Sequence, residues 1–289
     1  MFLMLNKRVL CVMSCLMGSG EFVRGAEEVE FKLNFEDGKT YVTETVTDVE
    51  TVLPLAGQVI ESRVKMSMVS SQKASQQGQN TQVVQKLDAM KLDGTAAGMQ
   101  LAYDSENPEG LLAATLGSLT DAETTMIIGA DGKVISVKSN EVPGMEVLGM
   151  GENEMKQAAR EIADLMPNKA LKVGESWQAS SKLPLTGISN EPATITYDMT
   201  FDSVVEKEGR QLAKIVIVGK VDEDDGNLRV TSKEIGGEML FDPEIGQPRE
   251  SKLVLSIEVG LPAGEESVEG EAKRIPMKTV TEAFLKEIK

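Results

Sequence analysis

The sequence predicts a mainly β protein: two related antiparallel β units with an intervening α-helix. One α+β domain with a single large sheet is the alternative. Three observations carry the prediction. Most of the chain alternates polar and apolar residues at a period of two, the mark of antiparallel sheet with one wet face. One mid-chain stretch carries a helical stripe instead. And "TMIIGADGKVISVKSN" (125–140) is echoed by "GGEMLFDPEIGQPRESKLVLSIEV" (236–259). Each places an apolar triplet before an Asp-containing, Gly-ending turn and then resumes an extended run.

Residues 1–26 have the pattern of a signal peptide. Lys7 and Arg8 precede the apolar run Val9–Met17, and small residues follow at Gly20, Gly25 and Ala26, where cleavage is expected. "VMSC", ending at Cys15, offers lipid attachment as the other reading; Met13 and the short apolar run ahead of it favour simple cleavage. Both cysteines, Cys11 and Cys15, fall inside this leader, and the chain has no histidine. A mature chain without Cys or His has no thiolate or imidazole ligands for metal, no Cys nucleophile and no His base. Removing residues 1–26 leaves 27 basic against 45 acidic residues, a formal charge of −18. Such a chain repels phosphate backbones, which excludes nucleic acid as a natural partner. No segment of the mature chain approaches the ~20 apolar residues a membrane helix needs.

The first unit is expected over 27–150. "VTETVTDVETV" (42–52) and "VIESRVKMSMVS" (59–70) are rich in Val, Thr and Met and predict long strands. "PEGLLAATLGSL" (108–119) predicts a shorter helix or, given its two internal glycines, a loop. Residues 151–167 place Met155, Ala158, Ala159, Ile162, Leu165 and Met166 on one helical stripe, and Pro167 ends it. The second unit, 168–289, opens on "LKVGESW" (171–177). "TITYDMTFDSVVE" (194–206) puts Ile195, Tyr197, Met199 and Phe201 on one face; "AKIVIVGKV" (213–221), apolar on both faces, predicts a central strand. "DEDDGN" (222–227) predicts a hairpin turn, and "KLVLSIEVG" (252–260) a closing strand with Leu253, Leu255, Ile257 and Val259 inward. The signals recur in the same order in both halves, and Gly38 to Tyr41 and Gly174 to Trp177 share a three-residue spacing. An ancestral duplication accounts for this economically.

Candidate sites are few. Ser70 and Lys73 match a Ser-x-x-Lys spacing, but on an extended segment without the companion motifs of such enzymes. Among so many carboxylates nothing singles out a catalytic pair. "VDEDDGN" (221–227) fails the register of a calcium loop, and an Asp-Gly hairpin explains it. Trp177, the only tryptophan, is either a ligand platform or a core anchor, and anchors are the commoner use. Met66 and Met68 share a face with Val64, and Met199 with Tyr197 and Phe201. Flexible, polarizable methionines suit either a variable apolar ligand or gap-filling in a core poor in aromatics.

The leader, the early Gly-x-x-Tyr, the helix ending in "LMPNKALKVGESW" and the "DPEIGQP" turn together resemble a family of exported bacterial proteins known as a domain of unknown function. The resemblance implies no activity, so no residue role follows from it. Long antiparallel strands covered by a helix or two also look like the half-barrels of the periplasmic lipoprotein carriers LolA and LolB, which implies curved sheets with a sheltered apolar face. The expectation is therefore an exported, non-enzymatic envelope protein without cofactors. It would bind an apolar ligand or lipid against a sheet face lined by Met66, Met68, Tyr197, Met199, Phe201 and Trp177. A structural or protein-interaction module of the periplasm or cell surface, with an envelope protein as partner, is the alternative.

Overall fold

The computed structural model describes residues 28–55, 58–96, 98–110, 112–140, 157, 160–161, 164–183, 192–221, 229–260 and 274–289. The expected leader with Cys15, the 222–227 turn and most of 151–163 lie outside these residues. Fourteen strands form: β1 (Val29–Phe31), β2 (Thr40–Leu55), β3 (Gln58–Gln77), β4 (Asn80–Ala96), β5 (Met99–Asp104), β6 (Glu123–Ile128), β7 (Val134–Ser139), β8 (Lys169–Leu171), β9 (Ser176–Leu183), β10 (Ala193–Lys207), β11 (Arg210–Val221), β12 (Arg229–Asp242), β13 (Gln247–Gly260) and β14 (Arg274–Ile288). Residues 108–119 supply only one helical turn, α1 (Ala113–Leu116), with a 3₁₀ turn at Leu119–Asp121.

All strands but β1 and β8 join one antiparallel sheet in the order β7-β6-β4-β3-β2-β14-β13-β12-β11-β10-β9, with β5 paired to β4 beyond β6. The two expected units are therefore not two sheets. β14 pairs with β2 from Met277↔Thr51 to Ile288↔Tyr41, and this seam leaves neither half with a free edge at the junction. The single-sheet alternative describes the pairing, though not its α+β class, since helix is scarce among the described residues. Gln157, Arg160, Glu161 and Asp164 have helical backbone, and the Leu165 N–H donates to the Glu161 carbonyl at 3.0 Å. An intervening helix over 151–167 is not established. β11 lies inside the sheet, third from its β9 edge, and its burial is uneven: Ala213, Ile215 and Ile217 are buried on one face, whereas on the other Leu212 is buried and Val218 is 59% exposed.

The sequence echo has a structural counterpart. Glu36–Lys39 and Lys172–Glu175 each close an i to i+3 turn, with Gly38 at φ +76° and Gly174 at φ +90°. Gly38 then donates to the Ala74 carbonyl while Ala74 donates to that of Lys39; Gly174 and Glu175 bracket Phe201 identically. The register continues the match. Ala74 pairs with Val83 and Val83 with Met126, as Phe201 pairs with Ile215 and Ile215 with Met239. Bulges follow at equivalent places, Ile127/Ile128 and Leu240/Phe241. Gly132 donates to the Gly129 carbonyl and Gly246 to that of Asp242, each with positive φ. An apolar triplet, a bulge and a Gly-ended turn thus form one local device used twice.

Packing concentrates on one face. The largest cluster gathers Phe31, Trp177, Tyr197, Met199, Phe201, Ile215, Ile217, Phe241, Ile257 and Val259. Phe31, fully buried, meets Trp177, Phe201 and Phe241 at ring-centroid distances of 5.5, 5.1 and 5.4 Å. It reaches them because β1 pairs with β8, Val29↔Leu171 to Phe31↔Lys169, directly before β9. A second cluster places Met90, Tyr103, Leu116, Leu119 and Ala122 against Met66 and Met68; a third packs Val83, Met126, Ile128 and Val137 against Phe35.

Candidate functional site

Between these clusters lies a cavity of about 540 Å³, within the range typical of small-molecule sites. Met126, Ile128 and Val134 come from one end of the strand order and Ser181 and Tyr197 from the other, yet all line this one space. The sheet therefore curls around it. The seam supplies a wall through Tyr41 and Thr43 of β2 and Thr281, Ala283 and Leu285 of β14. Met199, Ile217, Met239 and Leu253 add apolar surface from β10 to β13, and Leu165 and Met166 close over it. These side chains face inward because alternate residues of each strand do so. Tyr197 can lie flat here because its cross-strand partner is Gly219. A Cβ at that glycine would come within 2.3 Å of Ile235 and 3.1 Å of the Tyr197 ring.

Polar groups reach the cavity from several strands, among them Thr43, Gln72 and Thr281, and two groupings carry hydrogen bonds of their own. The Tyr197 hydroxyl and Ser181 Oγ are 3.2 Å apart, and Glu161 Oε1 accepts from Gln157 Nε2 (2.7 Å) and the Lys182 N–H (3.1 Å). Burial is the main cause raising the Tyr197 phenol above its ordinary value; the bond to Ser181 opposes it and the Glu161 charge adds to it. Across the cavity Gln247 Nε2 donates to the Asn34 carbonyl, and Arg249 Nε donates to Asp242 Oδ2 at 3.0 Å. Asp242, 1% exposed in its side chain, also accepts the Glu244 N–H.

Of the six residues expected to line a ligand site, Tyr197 and Met199 line the cavity. Phe201 and Trp177 sit instead in the aromatic cluster around Phe31, with Trp177 Nε1 donating to the Leu165 carbonyl at 2.8 Å. Met66 and Met68 pack beneath the short helical segment of 113–121. The lining residues that sequence reasoning passed over include Tyr41, Met126, Met239, Leu253 and Ala283. A signal for two of them was present: Met126 and Met239 open the two apolar triplets of the echo. Ser70 and Lys73 are three apart on one strand, so their side chains leave opposite faces and cannot pair. Among the described residues no group of three Asp or Glu could hold a metal, and no helix is long and apolar enough to cross a membrane.

No family model matches the chain, and no curated protein matches it in sequence. Among solved structures, lipovitellin in a study of its lipid–protein interactions aligns at TM-score 0.45 and 15% identity over 88% of this chain. The chain spans only 26% of lipovitellin's length. Two further neighbours are looser still. A DUF1329 family protein from Desulfovibrio piger aligns at TM-score 0.20 and 8% identity, over 88% of this chain and 85% of its own. A putative outer membrane lipoprotein-sorting protein domain from Vibrio parahaemolyticus aligns at 0.17 and 9%, over 85% and 84%. None of these matches attaches to the Val173–Trp177 stretch in particular. Likenesses this loose carry no argument about function, which rests on the cavity.

Proposed function

We propose that this protein is an exported, non-enzymatic envelope protein that binds an apolar ligand, such as one acyl chain, in the cavity enclosed by its curled sheet. The observation that carries the reading is the cavity itself: about 540 Å³, with Met, Leu, Ile, Phe and Tyr side chains making up most of its wall and polar side chains the rest. Each buried methylene contributes ~0.8 kcal/mol, so a chain of ten would bind tightly with no polar chemistry. The leader pattern of residues 1–26 supports export, and a mature chain without His or Cys supports a role other than catalysis. The doubled turn-and-bulge device supports descent from a duplicated unit, which would make the cavity the space between two related walls.

The test is uptake of a fluorescent acyl probe by the delipidated mature chain, with the stoichiometry read by native mass spectrometry. One probe per chain is expected. Ala283→Trp, which pushes an indole into the space, should reduce uptake at least tenfold while the fold is retained by circular dichroism. No uptake by the wild type, or uptake indifferent to Ala283→Trp, would overturn the reading.

A further inference from the structure

Resting on the apolar-ligand reading, we infer that the ligand carries a cationic amine head group, received by Glu161 with the hydroxyls of Tyr197 and Ser181. The argument is one of charge matching. Among the described residues four acidic or basic side chains line the cavity: Glu161, Arg249, Glu250 and Lys252. Three are matched. Arg249 is bound to Asp242 at 3.0 Å, Glu250 receives Lys207 at 2.6 Å, and Lys252 meets Glu282 at 2.8 Å. Asp242 has a second cation, Arg210, at 3.5 Å; Arg210 is 45% exposed, so water rather than the cavity takes up its charge.

Glu161 differs. Among the described residues no Lys or Arg lies within ion-pair distance of it, and its recorded donors, Gln157 Nε2 and the Lys182 N–H, are neutral and both reach Oε1. Among the described residues Oε2 has no donor; Glu161 lines the same cavity as Tyr197 and Ser181, whose hydroxyls, 3.2 Å apart, add two more oxygens. A protonated amine offers three donors and one positive charge, which answers this set of three oxygens. A carboxylate head would meet a like charge instead. The chain's formal charge of −16 acts in the same direction. Tyr197, with its phenol held above the ordinary value, keeps its proton and adds no charge of its own.

The experiment compares three ligands of one alkyl length bearing a primary amine, an alcohol or a carboxylate, titrated into the full mature chain by calorimetry. The amine should bind about tenfold to a hundredfold more tightly than the carboxylate, the effect of one charge-assisted hydrogen bond. Glu161→Gln should erase that preference while leaving the alcohol within about threefold of its wild-type affinity, since the loss is one of charge and not of apolar surface. A carboxylate that binds more tightly than the amine would overturn the inference and direct the head group toward Arg249. So would an amine preference that survives Glu161→Gln. Failure of all three ligands would instead remove the apolar-ligand reading, and this inference with it.

Discussion

Replacing Phe31 with Ala tests whether a three-residue strand holds the base of the curled sheet. The ring is fully buried and lies 5.1 to 5.5 Å from three other aromatic rings, one of them edge-on. Truncating a buried Phe removes its transfer free energy and leaves a void that the stiff strands around it fill only partly, at a typical cost of about 3–5 kcal/mol. Aromatic pairing adds ~0.5–1.5 kcal/mol for each well-placed pair, which favours the upper half of that range. Domains are stable by only about 5–15 kcal/mol, so the variant should lose a third or more of its margin. For a chain of this size the loss corresponds to a fall in Tm of roughly 6–20 °C. The assay is urea unfolding followed through Trp177, the only tryptophan, whose ring is 5.5 Å from Phe31. The midpoint and not the amplitude is the readout, because the substitution alters the indole's surroundings directly. Phe31→Leu, which keeps part of the volume but none of the aromatic pairing, should cost less than Phe31→Ala. A loss below about 1 kcal/mol for Phe31→Ala would refute the reasoning and make β1 an ornament on a core complete without it.

Gly38→Ala and Gly174→Ala should each destabilise by about 1–2 kcal/mol, the backbone cost of the left-handed conformation for an L residue. No atom lies within 4 Å of the added Cβ at either site, so the two costs should agree; a difference beyond about 1 kcal/mol in parallel denaturation curves would break the equivalence of the turns. Asp242→Ala should cost about 3 kcal/mol, the low end for removing one partner of a buried ion pair, since Arg249 retains some contact with solvent. Thermal unfolding of Asp242→Ala beside Arg249→Ala and the double variant isolates the pair, and additive losses would show that it contributes nothing. All three tyrosines, Tyr41, Tyr103 and Tyr197, are raised above 10.0, in each case chiefly by burial. A raised native value means that their contribution to stability is whole below about pH 10 and is lost as pH rises through the native values. Tyrosinate absorbance should therefore appear at higher pH in the folded protein than in the unfolded chain. Titration near 10 with the fold intact would contradict the burial of these rings.

How much of this was legible in the sequence depends on the range of the interaction. Period-two alternation located the strands, and the inward set Ile195, Tyr197, Met199 and Phe201 was identified correctly because side-chain direction is a local property. Which inward residue meets the cavity and which meets a neighbour is not local. Phe201 is capped by Phe31, about 170 residues earlier in the chain, and Met66 and Met68 by the helical turn at Ala113–Leu116. No pattern within β3 or β10 announces those partners. The seam was equally hidden. β14 alternates as any amphipathic strand does, and nothing in its own residues reveals that it pairs with β2. The helix expected from the stripe at 151–167 rested on positions that lie mostly outside the described residues, so its length is not a finding.

The doubled device also makes the polarity of the cavity informative. Met126 and Met239 hold corresponding places in the two halves, at the same step of the same register, and both line the cavity. Ile128 lines the cavity as well, whereas its counterpart Phe241, the third residue of the other triplet, is buried in the aromatic cluster. Where the halves correspond, the lining is apolar on both sides and gives a ligand no preferred direction. Tyr197, Ser181 and Glu161 break the correspondence. They belong to β9, β10 and the helical residues before them; counted from the paired turns, Tyr197 corresponds to Ser70 and Ser181 to Thr45, neither of which lines the cavity. Glu161 gives the β9 end an acidic group, and on the proposed reading an amine head group turns toward it, while Gln247, Arg249, Glu250 and Lys252 line another part of the wall. Exchanging the ends should then reverse the preference. Glu161→Gln combined with Gln72→Glu places the carboxylate on the opposite wall, and an amine-tagged spin label should move its contacts from β10 toward β3. An unchanged label position would show that the chain's shape, not Glu161, sets its direction.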